Sequence, residues 1–551
     1  MKACRFKTVL LLVLALMTMP AFGQGLKAFK LKNGLSVYIW EDNTKSDVFG
    51  IVAVRAGSIN EPAEYTGLAH YLEHVMFKGT DQIGALDWAK EKPIYDQIIA
   101  KYDEMAATSD PARKAAIGKE INELTVEAGR ISVSNEFSDL MESIGGKGLN
   151  AGTSYDLTYY HNSFPAYQIN KWLEISSQRF IHPVFRTFQS ELENVYEEYN
   201  MYQDDPSSQQ SNFLRSKAFE GHPYARDIIG LPEHLKNPHL SKLIDFYNEW
   251  YVPENMVLIL VGNVNAQQIA GRIAGTFGRL EAKPLPQRKT YPDLDIKGRT
   301  QYTAKVGIYP SVCLVYPGVP AGHPDELPLE IAMSLLSNGD QTGTLDKLTL
   351  DGELTGCAAS PMTMREQGRN IVQCIPLYDE NQRRFESNKS TEKKALEAIR
   401  QVAEGAFEDW KVEAIKMNLC RDFDVQMESN TFKGHLLMEA FINDKDLARV
   451  LNYKDEVMAI TTDDIKRVVK QYLGNNYLAL YIEQGKAKKG EKIQKPGYQP
   501  IEPPVGKESL YAMQFKNMPI GQVEEKFIDF GDIRVQALND RSKLYYTPNT
   551  E

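Results

Sequence analysis

Cysteine is scarce in this chain, with five in 551 residues and none in a C-x-x-C pair, so thiols supply no metal-binding or redox motif. Histidine is nearly as rare, at nine. A basic excess is missing: the formal net charge is −10, which argues against a nucleic-acid partner. The most apolar run, Thr8–Met19, falls short of the roughly 20 residues a bilayer crossing needs, and no other segment comes closer. What remains is ordinary for a globular protein, with 42% apolar and 25% charged residues in a chain long enough for about three structural units.

The first residues read as an export signal. Met1-Lys-Ala-Cys-Arg-Phe-Lys7 is a basic start, Thr8–Met19 the apolar stretch, and Pro20-Ala-Phe-Gly23 a small-residue cleavage site. Cleavage of residues 1–23 would remove Lys2, Arg5 and Lys7, leaving 60 basic against 73 acidic side chains, a net charge of −13. Cys4 precedes the apolar stretch, so no lipid anchor is expected. The reading is of an exported protein with no membrane anchor after cleavage, periplasmic or extracellular. An oxidising compartment permits disulfides, yet Cys313, Cys357, Cys374 and Cys420 admit three full pairings and sequence does not choose among them. Buried free thiols are the other reading.

The densest chemistry lies in Gly67-Leu-Ala-His70-Tyr-Leu-Glu73-His74-Val-Met-Phe-Lys-Gly-Thr80. On a helix, residues four apart sit about 40° from one another, so His70 and His74 can converge on one metal ion. Glu73 projects about 60° to the other side of His70, within reach of a water at that metal without ligating it. H-x-x-E-H is the inverted form of the H-E-x-x-H zinc-peptidase signature. With so few histidines, chance would place such a triplet in roughly one chain in a hundred of this composition. The seven other histidines show no such spacing.

Organisation follows from turns and repeats. Ala28–Lys32 and Leu35–Trp40 flank Asn33-Gly34, a strong hairpin signal. Residues 83–134 read as a charged helical insertion, with Ile94, Ile98, Tyr102 and Met105 on one stripe and Ile117, Ile121, Leu124 and Ala128 on another. Asp110 as N-cap and Pro111 at the first helical position separate the two. This hairpin is expected to pack on the outside, with a partner-binding arm as the alternative. An internal echo then appears. Tyr251-Val-Pro-Glu-Asn255 and Tyr472-Leu-Gly-Asn-Asn476, 221 residues apart, each follow an amphipathic helix and precede an apolar strand. The expected fold is α+β: two homologous domains, each a mainly antiparallel sheet packed with helices. They would occupy 24–283 (catalytic) and 301–490, with a linker at 284–300. Residues 491–551 hold a Pro-rich connector and the first strands of an incomplete third domain, since Val535–Thr550 echoes the opening hairpin.

A metal held by two imidazoles needs a third protein ligand and one open position. The helical run Phe188–Met201 offers Glu191 and Glu198 on one face and Glu193 and Glu197 on others; spacing alone leaves the choice open, because acidic runs are commonly solvated faces. The motif segment, Asn150-Ala-Gly-Thr-Ser154 with the residues that follow it, the acidic helix and Tyr251…Gly262 occur in the order typical of one family. The chain resembles the inverted zinc peptidases that include pitrilysin, insulin-degrading enzyme and the mitochondrial processing peptidase. That resemblance covers roughly residues 28–550. It implies one Zn²⁺ in the catalytic domain, bound by His70, His74 and Glu198, with Glu191 supporting a ligand from outside the coordination sphere. In the E-x-x-x-V-x-x-E pattern Leu192 stands where an Arg is usual. It implies Glu73 as the catalytic base, and Asn150, Ala151, Gly152, Thr153 and Ser154 as an edge strand onto which a peptide substrate adds; an ordinary edge strand is the plainer reading. The second domain, lacking H-x-x-E-H, would be the degenerate copy.

The family reading is thus a zinc metalloendopeptidase acting on peptides or small unfolded proteins. In the family a second two-domain half supplies an Arg and a Tyr that hold the substrate carbonyl, and this chain has no identifiable equivalent. A homologous second half, as a homodimer or a separate subunit, is therefore the expected partner, unless the chain is a shortened form. The alternative is a non-catalytic peptide-binding or scaffolding subunit of a two-chain peptidase, against which the intact triad speaks.

Overall fold

Gly34, at φ 94°, turns the chain back on itself between β1 (Leu26–Lys30) and β2 (Ser36–Glu41), opening a six-stranded sheet. The computed structural model describes residues 25–485, 492–497, 499–502, 504–523, 531 and 533–547, so the expected signal lies outside the described residues. The sheet is completed by β3 (Asp47–Val54), β4 (Lys147–Thr153), β5 (Thr158–Pro165) and β6 (Met256–Gly262), in the order β1-β2-β6-β3-β5-β4. A second sheet comprises β7 (Arg299–Gly307), β8 (Ser311–Pro317), β9 (Leu354–Thr363) and β10 (Gly368–Pro376). After a small ribbon of β11 (Tyr378–Asp379) and β12 (Arg384–Phe385), β13 (Tyr477–Gln484) completes it in the order β7-β13-β8-β10-β9.

Without β1, the two sheets have one topology. In each, a single parallel pair (β2 with β6, β7 with β13) adjoins antiparallel neighbours. β6 and β13 begin at Met256 and Tyr477, the same 221-residue offset as the sequence echo. The asparagine of that echo has a local reason: buried Asn255 donates to the carbonyls of Trp250 and Arg55, closing the preceding helix onto the sheet. β7 opens at Arg299, two residues ahead of the expected start of the second domain.

Each domain buries its large apolar face under its own helices and lends one helix to the other. Asn430–Ile442 from the second domain lays Leu437, Met438 and Phe441 over Phe49, Ile51, Val257 and Val261 of the first sheet. Its Gly434 is required there, since a Cβ would come within 2.8 Å of the Phe49 ring. In return, Pro206–Ala218 brings Ala218, with Phe219 beyond it, to Cys313, Val315 and Leu480 of the second sheet.

The second sheet is tied by Glu392, whose side chain is 6% exposed. It accepts from Arg299 at 2.6 and 2.8 Å, from Tyr477 at 2.8 Å, and from Tyr481. Burial pushes this carboxyl up, but those donors together outweigh it and hold it below the ordinary 4.5. The folded state therefore binds the proton more weakly than the unfolded chain. Its stabilisation is present above the unfolded value and is lost as pH falls through the lower folded one. Glu392→Gln is expected to cost about 2 kcal/mol at neutral pH and to flatten the acid limb of a stability–pH curve, measured by urea unfolding at several pH values.

The insertion is a packed hairpin of Trp88–Ala107 and Pro111–Gly129, with Asp110 accepting from the Ala112 N–H. Ile98, Tyr102, Ile117 and Ile121 are buried in the first core. A buried ion pair pins it: Arg186 Nε donates to Glu91 Oε1 at 2.5 Å and Nη2 to Oε2 at 2.9 Å, with side-chain exposures of 4% and 1%. The connector after β13 returns across the first domain. Asn200 brackets the Ile493 backbone at 2.9 and 2.8 Å, Asn122 brackets Gln499 at 3.2 and 3.2 Å, and Glu136 receives the Ser509 N–H and hydroxyl at 2.7 and 2.6 Å. Ile493 and Phe515 are buried. The tail strands β14 (Arg534–Asn539) and β15 (Ser542–Tyr546) pair with each other and with neither large sheet.

Candidate metal centre

Two helices build the centre. The motif helix, Leu68–Val75, buries Leu68, Ala69, Tyr71, Leu72 and Val75 and leaves His70, Glu73 and His74 on its other side. Its first N–H groups have no partner within the helix. Buried Glu61 fills that need, accepting from Gly67 N–H at 3.0 Å and Ala69 N–H at 2.9 Å. Gly67, at φ 90°, admits no side chain, because a Cβ would meet the Ile229 carbonyl at 2.6 Å. The acidic helix, Phe188–Asp204, buries Phe188, Leu192, Val195, Tyr196 and Tyr199. The Tyr71 hydroxyl donates to the Phe188 carbonyl, and the two rings lie 4.5 Å apart, so the helices dock in fixed register.

That docking brings the side chains of His70, His74 and Glu198 together, with one ligand atom from each lying within 4.8 Å of the others. Glu198 Oε2 stands 3.4 Å from His70 Nε2 and 3.8 Å from His74 Nε2. Ligands of a tetrahedral zinc at about 2.0–2.1 Å stand about 3.3 Å apart, so the spacing fits such an ion. Glu198 Oε2 is also buried without a hydrogen-bond partner, an electron-rich atom aimed at two imidazoles. Among the described residues this is the one group of three or more His, Cys, Asp or Glu side chains arranged to hold a metal.

The surroundings set the charge. Burial, reinforced by His74, pushes His70 down to about 3, leaving its imidazole neutral. Burial acts the same way on His74, but Glu191, Glu198 and Glu73 together raise it. Glu191 Oε2 lies 3.6 Å from His74 Nδ1, and its Oε1 lies 2.8 Å from Lys78 Nζ. Burial would raise Glu191, yet His74 and Lys78 outweigh it and take it down to about 2. The Glu73 carboxyl is raised, chiefly by burial, against a hydrogen bond that Thr153 donates at 2.6 Å.

β4, the outermost strand of its sheet, carries Asn150, Ala151, Gly152 and Thr153, paired inward to His161, Tyr160, Tyr159 and Thr158. Ser154 departs from the expectation. It lies past the strand, its N–H donating to Leu157 and its carbonyl accepting from Ser58, so the turn already uses its backbone. Three contributors escaped the sequence reading: Glu61 as helix cap, Lys78 on Glu191, and the Thr153 hydroxyl on Glu73. Only Lys78 had a local signal, four residues after His74 and just past the end of the motif helix, Leu68–Val75.

The comparisons with known proteins agree in kind. The profile described as Insulinase (Peptidase family M16) matches residues 37–91 and 128–231, and that described as Peptidase M16 inactive domain matches 239–419. The first match skips 92–127, most of the helical insertion. A curated relative, the zinc protease PqqE of Helicobacter pylori, is 22% identical over 451 residues, covering 80% of this chain and 89% of its own. In structure, a protease from Helicobacter pylori superposes with TM-score 0.67 at 20% identity, over 84% of this chain and all (100%) of that one. The first half of the periplasmic protease PqqL from Escherichia coli gives 0.65 at 16% identity, over 92% of this chain and 100% of that one. The chain spans 55% of the whole PqqL structure. Two matched profiles spread over both sheets, with named zinc-protease relatives beside them, make this chain a member of peptidase family M16, the family of pitrilysin and insulin-degrading enzyme.

Proposed function

We propose that this protein is a zinc metalloendopeptidase that hydrolyses peptide bonds in peptides or small unfolded proteins. The observation that carries the reading is the convergence of His70, His74 and Glu198, with Glu73 beside them on the motif helix. Zinc held by those three residues would supply Lewis acidity and an activated water. Glu73 takes the proton from the attacking water and returns it to the leaving amine. Thr153 holds that carboxylate from the neighbouring strand. Glu191 fixes the His74 ring through Nδ1, and Lys78 anchors Glu191 in turn. The unpaired side of β4 receives an extended substrate backbone along Asn150–Thr153, a mode that tolerates many sequences.

The second domain serves as the non-metal copy. Its helix Glu326–Leu336, at the place of the motif helix, carries no histidine. A homologous second half, from another copy of this chain or a separate subunit, is the partner this reading calls for; the match to the first half of PqqL supports it. Export through residues 1–23 to the periplasm completes the proposal.

Purified protein is expected to carry stoichiometric zinc by elemental analysis. A chelator should abolish cleavage of a quenched fluorogenic peptide, and added zinc should restore it. Absence of zinc overturns the reading. Bound zinc without cleavage, alone or at concentrations that favour dimers, selects the non-catalytic subunit instead.

A further inference from the structure

We propose that Cys357 and Cys374, facing each other across adjacent strands of the second domain, form a reversible disulfide. The argument begins with register. β9 and β10 are antiparallel, and Cys374 lies directly opposite Cys357. Antiparallel partners alternate between hydrogen-bonded and non-hydrogen-bonded pairs, and side chains come closest in the latter. Two observations place the cysteines in the closer class. The turn is closed by the Met364 N–H donating to the Gln367 carbonyl, which makes 364 and 367 a hydrogen-bonded pair and puts 357 and 374, seven steps along, in the other set. Pro361, opposite Asn370, has no N–H to give, so its pair must belong to the non-hydrogen-bonded set, and four further steps again reach the cysteines. Such pairs have Cα atoms about 4.5 Å apart, inside the roughly 4.4–6.8 Å window of disulfides.

The other thiols are excluded by direction. Cys374 and Cys357 both pack against the core beneath the second domain's own helices. Cys313 points through the opposite face, among Phe219 and Leu480. Cys420 sits on the helix Asp409–Gln426, its sulfur 3.9 Å from the Lys454 carbonyl. Sequence allowed three full pairings; the sheet selects one bridge and leaves two thiols free.

Cys357 is the half-buried member and Cys374 the fully buried one. The Cys357 thiol donates to Asp346 Oδ1 at 3.3 Å and accepts from the Thr349 hydroxyl at 3.5 Å. An external disulfide, either a small molecule or an exchange protein, is the oxidant. The Cys357 thiolate attacks one of its sulfurs, forming a mixed disulfide and expelling the first thiolate. The Cys374 thiolate then attacks Cys357 Sγ, closing the protein disulfide and expelling the second. The two protons lost by the cysteines end on the two released thiols. Burial raises both thiols above their ordinary value, so exchange should quicken as pH rises.

The test incubates the full chain with oxidised glutathione at mildly alkaline pH, alkylates the remaining thiols, and maps peptides by mass spectrometry. Expected is one cross-linked peptide joining Cys357 to Cys374, two hydrogens lighter than its reduced form, with free thiols falling by two and dithiothreitol restoring them. Cys374→Ser should instead leave glutathione on Cys357 with no internal bridge. Complete alkylation of both cysteines after oxidation, or a bridge from Cys357 to Cys313 or Cys420, overturns the proposal. If the Ser variant does not fold, the wild-type map decides alone.

Discussion

Glu73→Gln is expected to leave the protein folded and zinc-loaded while slowing peptide cleavage about a thousandfold, within the range of 10²–10⁴ that a positioned base contributes. The substitution keeps size and shape, and the amide can still accept the Thr153 hydroxyl now bonded to the carboxylate at 2.6 Å. What it removes is the capacity to take up a proton. The loss should therefore fall on kcat, with KM little changed. Zinc content should not move, because Glu73 is not among the three converging ligand atoms. Steady-state kinetics on a quenched peptide beside elemental analysis of the same preparation check both halves. A variant that cleaves as fast as wild type sinks the assignment of the base; one that loses zinc shows that Glu73 ligates.

Glu91→Ala should be the most destabilising single change away from the centre, at about 3–5 kcal/mol, because it strands a buried guanidinium without its counter-charge. Arg186 is held by more than Glu91: it also donates to the carbonyls of Thr80 at 2.8 Å, Ile83 at 3.1 Å and Lys78 at 3.2 Å. It therefore ties the insertion to the loop that follows the motif helix. Chemical denaturation of the single variants and of Glu91→Ala/Arg186→Met should show the double variant recovering part of the loss, as a coupled pair requires. Equal and additive losses would mean the ion pair is incidental.

Those two predictions differ in how much of their basis was legible beforehand. His70, Glu73 and His74 lie within five consecutive residues, so helical geometry alone put them on one surface. The Asn33-Gly34 turn, the Asp110 cap and the paired Tyr251 and Tyr472 segments were readable for the same reason: each is a local pattern. Glu198 was not, since its spacing from Glu191 is shared by any acidic helix face and the family resemblance had to choose. Glu61, Thr153 and Arg186 reach their partners across loops or strands, and nothing in their neighbours announces it. The exchange of helices between domains was equally silent, because an apolar helix face does not name the sheet it will cover. Ser154 shows the opposite error, a residue read into a strand that had already ended. The cysteine bridge needed strand register, which depends on a turn four residues long.

The connector changes what counts as a separable piece. A cut at the linker after residue 283 looks clean on paper, yet Ile493 and Phe515 complete the first hydrophobic interior, and Phe441 and Leu437 roof its sheet. Burying each such side chain is worth about 1.5–3 kcal/mol. Excised residues 24–283 would thus meet water along a whole flank and at two plugged holes. A minimal folded fragment should therefore keep the chain through its docked helix Leu510–Lys516, because each sheet is covered in part by a helix that the other domain supplies.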